Sequence, residues 1–89
     1  MSNQGGEMPR YRSHKEVWAL KIASASRVNG KAEDDAQLTF ADKGYLPITV
    51  EAAVVSRYFP APGDYLVVYR DGYRSISPGK EFEDGYTRI

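Results

Sequence analysis

The dipeptide Asp71-Gly72, flanked on both sides by short segments of alternating apolar and polar residues, constrains the fold more than any other feature of the chain. Asp-Gly is preferred in two-residue type I′ turns because both central positions take positive φ there. The pattern therefore predicts a β-hairpin over residues 64–77 in which Arg70 pairs with Tyr73.

That two-residue loop sorts the side chains of the hairpin onto two faces by alternation. One face is predicted to carry Tyr65, Val67, Tyr69, Arg74 and Ile76. The other is predicted to carry Leu66, Val68, Arg70, Tyr73 and Ser75. Because apolar residues occur on both faces, the first strand of the hairpin is expected to be central in its sheet.

A second hairpin is predicted from residues 37–40 and 45–50, which contain β-branched and aromatic residues and are separated by Asp42-Lys43-Gly44. Pro47 cannot donate a ladder hydrogen bond, so its strand is expected at a sheet edge. Residues 51–59 then predict a helix that ends at Pro60.

A second short helix is predicted over residues 78–84, with Ser77 as N-cap and Pro78 as its first residue. Gly85 is expected in the left-handed position after the helix, and Phe82 is expected to pack the helix onto the sheet.

Residues 16–24 fit both a strand and a helix. Ser13 and Glu16 match a capping box, whereas Trp18, Leu20 and Ile22 alternate with smaller or charged residues. We favour the strand. Residues 24–36 predict a long exposed loop, and residues 1–9 a disordered tail.

Size and composition set the class of protein. The 89 residues suffice for one small domain, which we place at residues 10–89. Twelve basic and twelve acidic residues give no net charge, which argues against a dedicated duplex-DNA binder. Cysteine is absent, no segment could span a membrane, and a cytoplasmic location in a bacterial host is expected. The predicted fold class is α+β, a small mainly antiparallel sheet with a central Asp-Gly hairpin and two short helices.

The C-terminal half carries an ordered set of motifs: Pro62-Gly-Asp-Tyr65, Val67-Val-Tyr69, Asp71-Gly-Tyr73, Ser77-Pro78, Phe82-Glu83 and Gly85-Tyr-Thr87. With Tyr11-Arg-Ser-His-Lys15 and Ala19-Leu-Lys-Ile22 before it, this set resembles a family of small proteins encoded by tailed bacteriophages and prophages. The resemblance implies a phage origin and a compact α+β fold, and it supplies no catalytic residue. Gly79 departs from the helix-forming residue expected at its position.

Enzymatic chemistry has little support. His14 is the single histidine, so neither a histidine metal site nor a Ser-His-Asp triad can be assembled within one chain. The cluster Glu33-Asp34-Asp35 lacks the spaced oxygen ligands of a calcium loop. We expect no enzyme activity, no cofactor and no metal.

The hairpin end is the predicted binding site. Tyr69, Arg70, Tyr73 and Arg74 surround the turn, and Tyr and Arg are enriched in binding hot spots. Arg10 and Arg12 are predicted as peripheral binding residues. The same residues are also compatible with an ordinary exposed hairpin.

The sequence favours a non-enzymatic binding protein whose partner is a host or phage protein, acting in host takeover or counter-defence. One alternative is a binder of a small nucleotide-like ligand with a pocket between subunits; another is a minor virion or assembly component. A homo-oligomer, specifically a symmetric dimer, is expected because a small sheet leaves uncovered edges and the chain carries opposite charge in different segments.

Overall fold

The computed structural model describes residues 8–12 and 16–88. This part of the chain is mostly β-structure with one α-helix. In chain order the elements are β1 (Arg10–Arg12), β2 (Glu16–Arg27), β3 (Ala36–Phe40), β4 (Ile48–Val50), a 3-10 helix (Ala52–Val55), β5 (Tyr65–Val68), β6 (Arg74–Ser77), α1 (Gly79–Gly85) and β7 (Thr87–Arg88). Every strand pairing among them is antiparallel.

Strand β2 organises the sheet. Its first half pairs with β1 along one edge and with β5 along the other, and its second half pairs with β3. The strand alternative for residues 16–24 is confirmed. The predicted loop over residues 24–36 begins later than expected, because β2 continues to Arg27 and Ser24 shares a side-chain hydrogen bond of 2.6 Å with Thr39.

An aliphatic cluster fills one side of the sheet. Its buried members come from β2, β3, β4, β5 and the 3-10 helix: Ile22, Ala36, Leu38, Val50, Val55 and Leu66. Strand β4 lies at one end of the strand order, whereas β5 leaves β2 along the other edge. The sheet must therefore curl for both to meet in one cluster, which we call the inner cluster.

A second cluster lies on the opposite side of β2 and β5, beneath α1. Its buried members are Val17, Ala19, Tyr65, Val67 and Phe82. The Phe82 ring stacks on Tyr65 at 4.3 Å and on Tyr86 at 4.5 Å between ring centroids. The prediction that Phe82 packs the helix onto the sheet is confirmed. We call this group the outer cluster.

The hairpin at Asp71-Gly72 is present, but its predicted register is wrong by one residue. Val68 pairs with Arg74 and Val67 with Ser75, so three residues form the loop. Gly72 has φ +89°, and no described residue other than glycine has positive φ. A type I turn followed by a left-handed glycine takes one residue more than the type I′ turn.

The slip changes which hairpin side chains share a face. Arg74 and Ile76 lie on the face of Leu66 and Val68, while Ser75 lies on the face of Val67. The predicted grouping of Arg74 and Ile76 with Val67, and of Ser75 with Val68, is therefore wrong. The first strand of the hairpin is central, as predicted, because β5 lies between β2 and β6.

Only one of the two predicted helices is an α-helix. The helix predicted over residues 51–59 is reduced to a 3-10 helix of four residues, whose first amide, from Ala52, is bound by the Asp35 carboxylate at 3.1 Å. Its short apolar run buries Val55 alone, which gives a longer helix little packing energy.

Helix α1 begins and ends one residue later than predicted. Pro78, with extended ψ, takes the N-cap position expected for Ser77, and no side chain of its own caps the helix. Gly85 is the last helical residue and does not have positive φ, so the left-handed position predicted for it is wrong.

The second predicted hairpin forms between β3 and β4, and β4 lies at the end of the strand order, as Pro47 predicts. Its second strand is shorter than predicted and begins at Ile48. Of the predicted tail over residues 1–9, the first seven residues lie outside the described part of the chain. Pro9 is buried and its carbonyl accepts the Ala19 amide at 3.0 Å.

Candidate functional site

Two tyrosines flank the hairpin loop. The Tyr69 and Tyr73 rings lie 5.8 Å apart, tilted by 49°. The Asp71 side chain accepts a hydrogen bond from the Tyr73 amide at 3.0 Å within the loop, and Tyr73 is 66% exposed. Two of the residues predicted to bind a partner are therefore adjacent, and Tyr73 is accessible to solvent.

The four residues predicted at the hairpin end do not form one surface. Tyr69, Arg70 and Tyr73 line a cavity of about 500 Å³ together with Glu16 and Asp71. Arg74 lines a different cavity, of about 410 Å³, in which Tyr73 and Glu51 also take part. The one-residue register slip accounts for this separation, since it places Arg74 on the opposite face from the one predicted.

The two arginines predicted at the periphery of the site belong to β1. Arg10 pairs with the Glu16 carboxylate at 3.3 Å, so part of its charge is already balanced. Arg12 is placed by its backbone in β1, opposite Glu16 of β2 and Thr87 of β7. Arg10 is linked to the hairpin-end cavity through Glu16, which lines that cavity with Tyr69.

A concave surface larger than these two cavities lies beside the hairpin end and was not predicted. It is a groove of about 830 Å³ between the uncovered end of the sheet and the loop of residues 41–47. Its walls include Trp18, Tyr45, Leu46, Ile48, Val68 and the two cations Lys43 and Arg70. We call this surface the apolar groove.

The apolar groove exposes hydrophobic side chains and carries charge of one sign. Leu46 is 82% exposed, the highest value among the large hydrophobic residues of the described chain. No acidic residue is among the described residues that line the groove. No salt bridge joins Lys43 or Arg70 to a described carboxylate.

Trp18 connects the groove to the sheet. It pairs with Val68 across β2 and β5, and both side chains reach the groove wall. Its indole N–H is buried and has no hydrogen-bond acceptor among the described residues. Part of this surface could have been predicted from the sequence. Tyr45 and Leu46 precede Pro47 in a segment expected at a sheet edge, where two adjacent apolar side chains are not needed for the core.

The buried carboxylate of Asp64 connects the loop before β5 with the start of α1. Asp64 is 7% exposed and accepts three hydrogen bonds: from the Gly79 amide at 2.9 Å, the Ala61 amide at 2.8 Å and the Tyr58 hydroxyl at 2.9 Å. Asp64 thus supplies the cap that α1 lacks locally. Its hydrogen bond, helped by partial burial, raises the pKa of Tyr58 above the ordinary value.

The structure also gives a reason for the unexpected glycine at position 79, which lies against the segment before β5. A Cβ at this position would collide with the carbonyl oxygen of Gly63. The glycine that departs from a good helix former is therefore needed for the close approach of α1 to the chain before β5.

A polar contact also joins α1 to the sheet. The Tyr65 hydroxyl donates to Glu83 at 2.8 Å, and the Lys21 ammonium lies 3.4 Å from the same carboxylate. The Tyr65 hydrogen bond lowers the pKa of Glu83, with a smaller contribution from Lys21 opposed by partial desolvation. Among the described residues no group of three or more His, Asp or Glu side chains is arranged to hold a metal ion.

The acidic loop residues have structural contacts. Asp34 accepts the Lys31 amide through its carboxylate at 3.2 Å and the Arg27 guanidinium through its carbonyl at 2.8 Å. Arg27 in turn lies 4.7 Å from the centre of the Phe59 ring. These contacts tie the loop to the body of the protein.

Comparison with solved structures finds the monomeric form of the phage L decoration protein, determined in solution by NMR. The similarity has a TM-score of 0.65 at 26% sequence identity and covers 98% of this chain. The chain spans 65% of the length of that protein. This agrees with the resemblance to phage proteins.

No protein-family model and no curated protein sequence matches the chain. In the described part of the chain, no helix has the length and apolar character required to cross a membrane.

Proposed function

We propose that this protein is a phage virion component that attaches to the surface of the capsid through protein–protein contacts. The observation that carries the proposal is the similarity, over nearly the whole chain, to a phage decoration protein. Of the functions considered from the sequence, this similarity favours the virion component over a protein that acts on host macromolecules.

The surface chemistry supports a binding role of this kind. A partner surface is offered by the apolar groove and by the exposed tyrosine of the hairpin end, whose cavity shares Tyr69 and Arg70 with the groove wall. Exposed apolar side chains next to cations are typical of protein interfaces, where aromatic residues and arginine are enriched. Attachment of this kind needs neither catalysis nor a cofactor.

The test is co-sedimentation with capsid shells from the phage that encodes the chain. Purified protein is titrated against shells, which are then pelleted, and the bound protein is measured. The proposal expects saturable binding with a fixed number of copies per shell. Protein that stays in the supernatant at all concentrations would contradict it.

Self-association stays a prediction. Strands β4 and β6 each pair with one neighbour in the described sheet, so each offers an edge to another copy. Light scattering of the protein alone is expected to give the mass of a dimer, and a monomer at tens of micromolar would reject this.

A further inference from the structure

We infer that the apolar groove is the surface that receives the capsid protein, and that its occupant is a segment with an apolar side chain flanked by carboxylates. This inference rests on the proposed function. The inference goes beyond the proposed function by naming the contact surface and the chemistry of the partner segment.

Leu46 and its surroundings form the apolar part of the groove. An isolated exposed leucine is ordinary, but this one borders a concave surface that also contains Trp18, Ile48 and Val68. An apolar side chain placed there would remove area from water on both partners. The volume of about 830 Å³ suits a few side chains rather than a whole helix face.

The charged half comes from Lys43 and Arg70. Both line the groove, neither is balanced by a described carboxylate, and no described acidic residue shares the wall with them. The neighbouring hairpin-end cavity differs, since Glu16 and Asp71 line it beside Arg70, so that carboxylates outnumber cations on its wall. Charge complementarity therefore selects an acidic partner segment and directs it to the apolar groove.

The first test reverses the two groove charges. Lys43→Glu with Arg70→Glu is compared with Arg57→Glu and Lys80→Glu, which make the same change in net charge at exposed positions away from the groove. The groove pair is expected to weaken co-sedimentation with shells by about tenfold or more, and the control pair by no more than about twofold. Binding by the unaltered protein should also fall with added salt.

The second test addresses the apolar contact without changing charge. Leu46→Ser is expected to weaken binding to shells by several-fold, whereas Val28→Ser, at a 54% exposed position in another loop, should leave it unchanged. Both variants should keep the thermal midpoint of the parent protein, because neither side chain is part of a buried cluster.

The third test uses Trp18, the single tryptophan of the chain, as a reporter inside the groove. Anilinonaphthalene sulfonate is an anionic aromatic probe. Like the proposed partner segment, it combines negative charge with an apolar surface. It should bind saturably and quench Trp18 by energy transfer. The Lys43→Glu and Arg70→Glu protein should lose this signal, and the Arg57→Glu and Lys80→Glu protein should retain it.

The outcomes separate this inference from the function on which it rests. If the parent protein does not bind shells, both the proposed function and the inference that rests on it are overturned. If the parent binds and both groove variants bind equally well, only the inference is overturned. Loss of binding in the groove variants with retention in their controls supports both.

Discussion

The two faces of strands β2 and β5 differ in how they are covered: one is closed by α1, and the other opens into the apolar groove. On one face Val17, Ala19 and Val67 are shut off from solvent beneath α1. On the other, residues deep in the sheet join the inner cluster, but Trp18 and Val68 near its end reach an open groove. Neighbouring residues of the same strand thus meet a covering helix on one side and solvent on the other.

The closed face shows what it takes to cover an apolar surface with a short helix. One helical side chain, Phe82, is buried, and the remaining attachment comes from Asp64 at the helix start and Tyr65 at Glu83. The open face lacks such anchors in the described chain and keeps two unbalanced cations. We therefore expect changes to the closed face to alter stability, and changes to the open face to alter binding.

The largest effect is expected from Phe82→Ala. Removing the one buried side chain of α1 should lower the free energy of unfolding by about 3–5 kcal/mol. Leu46→Ala on the open face should change it by less than about 0.5 kcal/mol. Urea denaturation measures both, and similar losses in the two variants would remove the distinction between the faces.

Asp64→Asn tests the polar anchor with little change in shape. The NH2 group of asparagine would replace one of the two oxygens that accept the Ala61 and Gly79 amides, so at least one buried N–H would lose its acceptor. The free energy of unfolding is expected to fall by about 1–3 kcal/mol. Tyr58→Phe removes one partly exposed donor and should cost less. If the two variants unfold at the same urea concentration, Asp64 does not act as the cap of α1.

Gly79→Ala tests the close approach of the helix. Alanine usually stabilises a helix relative to glycine, but here its Cβ would meet the Gly63 carbonyl, and a loss of about 1–3 kcal/mol is expected. Gly85→Ala is the matched control, since nothing lies near its Cβ position and a gain of up to about 1 kcal/mol is expected. A gain in both variants would contradict the packing described for α1.

The smallest effect concerns the pH dependence of the Glu83 contact. The pKa of Glu83 is lower in the folded protein, so its contribution is present above the unfolded pKa of about 4.3 and is lost as the pH falls through the folded value. Glu83→Gln should therefore melt slightly below the parent protein at neutral pH and converge with it in acid. A difference that grows in acid would have the wrong sign.

Local patterns predicted the parts of the fold that depend on neighbouring residues. Alternation identified the central strand at residues 64–70, and the spacing of Phe82 identified its packing role. The hairpin register was missed because it depends on the backbone of one residue: Asp71 does not take positive φ, so the turn is longer by one position. That single difference moved Arg74 away from the predicted site.

Contacts between distant segments account for the rest. Gly79 is required by Gly63, and α1 is capped by Asp64, relationships that no local motif expresses. The apolar groove likewise combines residues from β2, the loop before β4 and the end of β5. The sequence predicted Arg70 as a binding residue, but the residues that share the groove with it are brought there by the curl of the sheet.

The most direct measurement is a pair of cryo-electron microscopy reconstructions of virions, one from the phage that encodes this chain and one from the same phage with the gene deleted. We expect density of this fold on the capsid surface of the parent phage and none after deletion. The apolar groove should face an acidic and apolar segment of the capsid protein. Identical capsid surfaces in the two reconstructions would contradict this expectation.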